Sequence, residues 1–180
     1  MTKLFVISGS SGVGKGTVIK GFLEKHPDFK LSISCTTRTK RMGEENGVNY
    51  FFLSQEEFEN CIKNDEFLEW AEFSGNRYGT KKEYVQKCLS KGENLILEID
   101  TKGALNVKKI MPEAILIFIA PPSFEELEAR LRGRHTETEE AIQKRLASIK
   151  LEIENSQYFD RKVINDSVEN AIQQLEKIML

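Results

Sequence analysis

The sequence has few cysteines, and their arrangement suggests neither a covalent nor a metal-bound framework. Its 180 residues contain three, Cys35, Cys61 and Cys88, which are far apart and show no C-x-x-C spacing. A dispersed set of odd number indicates neither a disulfide framework nor a zinc site. We therefore expect these cysteines to be ordinary small side chains in the reducing environment of the cytoplasm.

Long apolar runs and a strong charge imbalance are also absent. No stretch approaches membrane-spanning length, and residues 1–3 lead directly into the first apolar run, so we expect no signal peptide and no membrane partner. The formal net charge of −2 argues against a general nucleic-acid binder. With 39% hydrophobic and 30% charged residues, 180 residues suffice for one globular domain with a sizeable core. The sequence leaves the oligomeric state open.

A glycine-rich stretch near the amino terminus predicts a phosphate-binding loop. The apolar run at 4–7 precedes it, and apolar residues at helical spacing follow it, so the context is strand, loop and helix. Such glycines let successive backbone N–H groups turn toward an anion, and a lysine adds a mobile positive charge. The alternative is a glycine-rich turn with an accidental lysine. The stretch consists of Gly9, Ser10, Ser11, Gly12, Val13, Gly14, Lys15, Gly16 and Thr17, with Gly16 at the position where a magnesium-binding hydroxyl usually stands.

Apolar runs further along the chain predict an α/β fold with a parallel sheet core flanked by helices. The runs at 94–100 and 114–120 are typical of strands buried on both faces, and 162–166 is a shorter candidate. Asp100 ends the run at 94–100, and open α/β sheets bind ligands at this end of their strands. The alternative is that this aspartate is the N-cap of the following helix. We expect a single domain over 1–180, with its core formed by 1–33, 85–127 and 157–180.

Two segments leave this core. Residues 34–84 predict a small β-rich lobe with strands at 31–34, 48–53 and 67–73, a turn at 74–79 and a helix capped around Thr80. Residues 128–156 predict a charged helical lid, because the apolar stripe of its long helix is narrow. Both segments begin near the carboxyl ends of core strands, beside the phosphate loop.

Basic residues in these two segments suggest where a phosphoryl group could go. Hydrolysis of a nucleoside triphosphate needs only a positioned water, whereas transfer to a second phosphate needs another anion site and exclusion of water. Arg38 and Arg41 could hold an acceptor phosphate, although charge alone favours a solvated loop. The lid contributes Arg130, Arg134 and Arg145, which could close over the donor phosphates.

The β-rich lobe offers groups that could read a base. Guanine presents an N1–H/N2–H donor edge, which suits a buried carboxylate, and an O6 acceptor, which suits a hydroxyl. Glu69, Ser34 and Thr80 are residues of these types. Spacing alone does not choose Glu69 over Glu72.

Motifs along almost the whole chain, in order, resemble those of guanylate kinases, which transfer a phosphoryl group from ATP to GMP. Thr-Thr-Arg-x-x-Arg and Glu-Trp are far more specific than the phosphate loop. The matching stretches are SGSSGVGK (8–15), SCTTRTKRMGE (34–44), GVNY (47–50), FLEWA (67–71), NRYGT (76–80), LEID (97–100), IAPPS (119–123) and LRGR (131–134).

The resemblance implies a role for each matching residue. Around the guanine it implies Ser34, Glu69, Thr80 and Asp100, with Thr80 in place of the more usual serine. At the GMP phosphate it implies Arg38, Arg41, Tyr50 and Tyr78. At the ATP phosphates it implies Arg134 and Arg145, and at the adenine Asn165. Lys15, Arg38, Arg134 and Arg145 would be the catalytic residues.

The resemblance also implies Mg²⁺ bound with ATP. Because Gly16 lacks a hydroxyl, we expect no side chain to ligate the metal directly. ATP and GMP are the expected substrates, and dGMP is an expected alternative acceptor. Two other hypotheses stay open: another monophosphate as acceptor, and a non-catalytic interaction module of the same fold.

Overall fold

The computed structural model describes residues 3–73, 75–133 and 138–180. Its strands are β1 (Leu4–Gly9), β2 (Phe29–Leu31), β3 (Cys35–Thr36), β4 (Phe51–Phe52), β5 (Phe67–Phe73), β6 (Asn76–Lys81), β7 (Asn94–Glu98), β8 (Ile115–Ala120) and β9 (Arg161–Ile164). Its helices are α1 (Lys15–Lys25), α2 (Gln55–Lys63), α3 (Lys82–Ser90), α4 (Thr101–Ile110), α5 (Phe124–Arg132), α6 (Glu139–Asn155) and α7 (Val168–Met179), with a 3-10 turn at Ser156–Tyr158.

A five-stranded parallel sheet in the order β2-β7-β1-β8-β9 forms the centre of the molecule. The central strand β1 is buried on both faces: Phe5 and Ile7 pack toward α1 and α7, whereas Leu4 and Val6 pack toward α3 and α4. Helices on both faces explain why its strands are apolar throughout rather than alternating. The predicted α/β fold with a parallel, helix-flanked sheet is confirmed.

A second sheet, in the order β4-β3-β6-β5, lies within residues 35–81. Strands β5 and β6 are antiparallel, β3 is antiparallel to β6, and β3 pairs in parallel with β4. A small apolar cluster of Cys35, Phe58, Cys61 and Phe67 joins this sheet to α2. The connection from β3 to β4, residues 37–50, contains Arg38 and Arg41, and we call it the arginine loop.

Several local predictions in this region are wrong. The strand expected at 31–34 is divided, because β2 ends at Leu31 and β3 begins at Cys35. The strand expected at 48–53 shrinks to β4, and the turn expected at 74–79 is largely β6. Thr80 lies in β6 opposite Glu69 rather than capping a helix. At residues 76–81 pairing with β5 overrides the local turn signal, whereas the expected strands at 31–34 and 48–53 are reduced to the residues that find a ladder partner.

Helices α5 and α6 pack through their apolar stripes beside the phosphate loop. Leu127 and Leu131 of α5 cluster with Ile142, Leu146 and Ile149 of α6. The N-cap of α6 is Thr138, whose hydroxyl accepts the amide hydrogen of Ala141. In the part of the chain that the structure describes, no helix combines the length and apolar character that crossing a bilayer requires.

Candidate functional site

The phosphate loop connects the end of β1 to the start of α1. Gly12 and Gly14 have φ values of +84° and +88°, so both occupy the left-handed region that glycine adopts without strain. Leu131 of α5 packs 3.4 Å from the position of a Cβ on Gly12. Because Gly14 is the N-cap of α1 and has no side chain, the first amides of α1 can turn toward an anion.

A cleft of about 270 Å³ opens between this loop and the second sheet. It brings together residues that are up to 143 positions apart, from Gly9 to Glu152. Of the site residues named from sequence, it is lined by Gly9, Ser11, Lys15, Ser34, Tyr50, Glu69, Tyr78 and Asp100. Phe73, Gly79, Glu98, Ile99 and Glu152 complete the lining.

Glu69 is the buried carboxylate of the cleft, with a relative exposure of 7%. Its Oε1 accepts a hydrogen bond of 2.8 Å from the Thr80 hydroxyl. Burial, opposed by the Thr80 hydrogen bond and reinforced by the nearby charge of Asp100, raises the pKa of Glu69 to about 7. Glu72, the alternative that spacing left open, is exposed. The structure therefore brings Glu69, and not Glu72, into the cleft beside a hydroxyl.

Asp100 caps a helix and also lies at the cleft, so its position is compatible with both of the roles that the sequence left open. Its carboxylate accepts the amide hydrogen of Gly103 at 2.7 Å and so caps α4, while the residue also lines the cleft. The helix approaches Glu69 closely here, since a Cβ on Gly103 would lie 2.6 Å from Glu69 Oε2. Glycine at this position leaves room for the Glu69 carboxylate.

The arginine loop holds its two arginines differently. The Arg38 guanidinium makes paired hydrogen bonds of 3.0 and 2.7 Å with Glu44, whereas Arg41 is exposed and only its backbone N–H reaches Glu44, at 2.8 Å. The Arg38 guanidinium also lies over the ring of Tyr50, at 5.4 Å from the ring centroid. The Arg38 hydrogen bonds hold the pKa of Glu44 down at about 2.

Tyr50 and Tyr78 meet near this arginine. Their ring centroids are 6.1 Å apart, in an edge-to-face arrangement, and both residues line the cleft. Burial raises the pKa of Tyr50 above its usual value, so its hydroxyl stays protonated and can donate a hydrogen bond at neutral pH.

Helix α6 contacts the phosphate loop at Ser11. Arg145 Nη2 donates to the Ser11 hydroxyl at 3.1 Å, and the Ser11 backbone N–H donates to Glu152 at 3.1 Å. Burial raises the pKa of Glu152. The sequence reasoning missed Glu152, although it follows Arg145 by seven positions and thus shares its helix face. Arg134 lies outside the described residues, as does the side chain of Arg130.

Asn165 follows β9 and is 5% exposed. Its side-chain amide donates to the carbonyl of Val13 at 2.6 Å, and its Nδ2 would lie 3.0 Å from a Cβ on Gly14. In this structure the Asn165 amide therefore supports the phosphate loop, a contact that its predicted role at the adenine did not anticipate.

These features define a phosphate-loop nucleotide-binding protein whose cleft is also lined by Tyr50 and Tyr78, the rings beside Arg38, an arrangement typical of nucleotide kinases. Comparison with known proteins narrows the class. The sequence model of the family described as guanylate kinase matches residues 1–180.

Individual relatives agree with this match. The chain is 52% identical over 177 residues to a guanylate kinase of Prochlorococcus marinus (strain MIT 9313), covering 98% of this chain and 94% of the relative. It is 51% identical over 173 residues to a guanylate kinase of Streptomyces coelicolor, covering 96% and 88%. The crystal structure of guanylate kinase from Anaplasma phagocytophilum superposes with a TM-score of 0.82 at 31% identity, covering 99% of this chain and 84% of that one. The chain belongs to the guanylate kinase family.

Proposed function

We propose that this cleft transfers the γ-phosphoryl group of ATP to GMP, giving ADP and GDP. The protein is an enzyme of the guanylate kinase family, and its chemistry is ATP-dependent phosphorylation of GMP. The observation that carries the assignment of the site is one cleft that joins Lys15 of the phosphate loop to Glu69 and Asp100. The phosphates of the donor and the base of the acceptor can thus bind within the same cleft.

At the donor end, the loop amides and Lys15 would bind the ATP phosphates. Charge spreads over the transferred phosphoryl oxygens in the transition state, so fixed cations and N–H groups around it lower the barrier. Arg145 already contacts Ser11 in the loop, and Arg134 is proposed to bind the same phosphates. The remaining donor-site residues proposed here are Gly9, Ser10, Gly12, Val13, Gly14, Gly16, Thr17 and Asn165.

At the acceptor end, Arg38, Arg41, Tyr50 and Tyr78 would hold the GMP phosphate. Guanidinium groups bind phosphate oxygens through paired N–H donors, and tyrosine hydroxyls add single ones. Arg38, Tyr50 and Tyr78 are already clustered. Orientation of this phosphate toward the donor would supply the in-line approach that phosphoryl transfer needs.

The base would be read by Glu69, Thr80, Ser34 and Asp100. An ionised Glu69 would accept the N1–H and N2–H of guanine, and a hydroxyl would donate to its O6. Adenine would leave these buried groups unpaired, which penalises it strongly. This set is proposed for the base alone, and we include dGMP among the acceptors.

We propose that Mg²⁺ enters with ATP and is held by phosphate oxygens and water. Among the described residues no group of three or more His, Cys, Asp or Glu side chains could hold an ion directly. Glu98 Oε1 lies 3.9 Å from the position of a Cβ on Gly16, and Asp100 lines the same cleft. These carboxylates fit a hydrated ion beside the loop. The metal would supply neutralising charge between the phosphates.

We further propose that residues 34–84 act as the acceptor lobe and 128–156 as the lid, with the remainder as the core. Arg145 and Glu152 support the lid assignment, because both reach the phosphate loop from α6. Closure over both nucleotides would exclude water and prevent hydrolysis of ATP. A cytoplasmic location is proposed as well, since all three cysteines are buried and free.

A panel of monophosphates tests this function. ADP release from Mg·ATP is measured with GMP, dGMP, AMP, CMP and UMP as acceptors. We expect GMP to exceed AMP in kcat/KM by roughly 10⁴, the discrimination typical of sites with buried polar groups that the wrong base leaves unpaired. An acceptor other than GMP or dGMP with the highest kcat/KM would overturn the proposal.

A further inference from the structure

Glu44 has no role in the reaction as described so far, yet it organises the arginine loop. Its two carboxylate oxygens accept from Nη1 and Nη2 of Arg38, at 3.0 and 2.7 Å. One of them also accepts the backbone N–H of Arg41, at 2.8 Å. A single carboxylate therefore ties together both arginines proposed for the acceptor phosphate.

Pairing with Glu44 leaves one edge of the Arg38 guanidinium turned away from the carboxylate, and Tyr78, proposed for the same phosphate, also interacts with this guanidinium. A guanidinium has five N–H donors. Glu44 takes one from each Nη, and the Thr39 carbonyl takes a second from Nη1 at 2.9 Å. The Nε–H and the remaining Nη2–H lie on a common edge of the planar group, and this edge can grip two oxygens of one phosphate. Glu44 thus pairs with the Nη1–Nη2 end of the guanidinium and leaves the Nε–Nη2 edge to face a ligand.

Other contacts fix the same orientation. The Arg38 backbone N–H donates to the Thr36 hydroxyl at 3.1 Å, which anchors the start of the loop to the second sheet. The guanidinium lies 5.4 Å from the ring centroid of Tyr50 and 5.7 Å from that of Phe52. Arg38 and Glu44 are only 13% and 18% exposed, so their pairing is screened less than an open surface pair.

We propose that Glu44 is a positioning residue for the acceptor phosphate, holding Arg38 with its Nε–Nη2 edge toward GMP. This inference rests on the proposed role of Arg38. Two effects oppose each other, because Glu44 also cancels one positive charge that would attract the phosphate. We expect orientation to dominate, because an arginine released from Glu44 must be ordered again at every binding event.

The test compares Glu44→Gln with Glu45→Gln. Glutamine keeps the size of the side chain, but its NH₂ group faces an arginine donor, so the paired geometry is lost. The neighbouring Glu45 is exposed and gives a matched change of charge in the same loop. We expect E44Q to raise KM for GMP on the order of tenfold or more, the size of a charge-assisted hydrogen bond. KM for ATP should stay within about twofold, and E45Q should change neither value.

Glu44→Asp and a double-mutant cycle complete the design. Aspartate keeps the charge but reaches less far, so E44D should restore KM for GMP only in part. In an Arg38→Ala background, E44Q should have little further effect, because a residue that acts through Arg38 has nothing left to orient.

The outcomes separate this inference from the proposed function. If R38A leaves KM for GMP unchanged, the assignment of Arg38 fails. If R38A raises KM for GMP but E44Q leaves it unchanged or lowers it, Arg38 is retained and Glu44 is at most a counter-charge. Full additivity of R38A and E44Q, or an equal rise in KM for ATP, would also overturn the positioning role.

Discussion

Glu69 and Glu72 lie three positions apart in one acidic and apolar stretch, yet only Glu69 is buried. The register of β5 against β6 places Glu69 opposite Thr80, and the Thr80 hydroxyl donates a hydrogen bond to the Glu69 carboxylate. Thr80 in turn is in place only because β6 is a strand. At the scale of single residues, the proposed base-reading site is a product of one cross-strand pair.

The raised pKa of Glu69 predicts how stability depends on pH. Its folded-state pKa of about 7 lies above its ordinary value of 4.5, so the folded protein binds this proton more tightly than the unfolded chain. The stabilisation is present below about pH 4.5 and is lost as pH rises through about 7. We expect Glu69→Gln to remove this loss. Between pH 4.5 and 7.5 the free energy of urea unfolding should therefore fall less in the variant than in the unmodified protein, by on the order of 2 kcal/mol.

Glu72→Gln is the control for this measurement, because Glu72 is exposed on the same strand. It should keep the pH dependence of the unmodified protein. Identical pH profiles for E69Q and the unmodified protein would show that the Glu69 carboxyl is not buried as described.

At the scale of secondary structure, α6 is the element that connects α5 to Ser11 of the phosphate loop. Its apolar stripe packs on α5, and α5 in turn packs on Gly12. Arg145 and Glu152 then project from a common face onto Ser11. The Ser11 N–H belongs to the loop whose amides would bind phosphate, so the Glu152 carboxylate stands where an anionic ligand would compete with it.

This contact predicts the effect of Glu152→Gln. A neutral amide binds the Ser11 N–H less strongly than a carboxylate and does not repel phosphate. We expect KM for ATP to fall about three- to tenfold, corresponding to on the order of 1 kcal/mol, with KM for GMP unchanged. Steady-state kinetics with each substrate varied in turn measures both values.

Glu154 is exposed on the same helix, and Glu154→Gln should leave both constants unchanged. A rise in KM for ATP in E152Q would mean that Glu152 assists ATP binding rather than competing with it.

At the scale of the whole molecule, two sheets contribute to one cleft. The five-stranded sheet supplies the phosphate loop and Asp100, whereas the second sheet supplies Glu69 and Tyr78. Neither sheet contains both halves of the proposed reaction. Two substrates bound in the cleft together would therefore contact both sheets, whose residues are far apart in sequence.

This division predicts coupled stabilisation by ligands. At about 100 times its dissociation constant, Mg·ADP or GMP alone should add roughly 2.7 kcal/mol to the unfolding free energy. We expect Mg·ADP and GMP together to stabilise the protein by more than the sum of their separate effects. Each ligand favours the closed arrangement to which the other binds, and the arginines offset the repulsion between the phosphates of the two nucleotides. Calorimetric unfolding with each ligand and with both measures the coupling. AMP in place of GMP is the control, and a strictly additive result would contradict closure.

The sequence by itself determined the phosphate loop, the parallel sheet and most helix caps. These depend on local causes: the left-handed glycines Gly12 and Gly14, apolar runs buried on both faces, and side-chain oxygens such as that of Ser54, which closes a capping box on α2. The family motifs added the substrate and the candidate residues, including Glu69.

Only the tertiary structure decided the extent of β6, the pairing of Glu69 with Thr80, the support of Val13 by Asn165 and the contact of Glu152 with Ser11. Each joins residues distant in sequence, so its partner is fixed by strand register and helix packing rather than by neighbours along the chain. Local signals at 74–79 favoured a turn, and the ladder to β5 outweighed them. The loop proposed to bind phosphate is thus encoded locally, while the groups that face it are brought there by the fold.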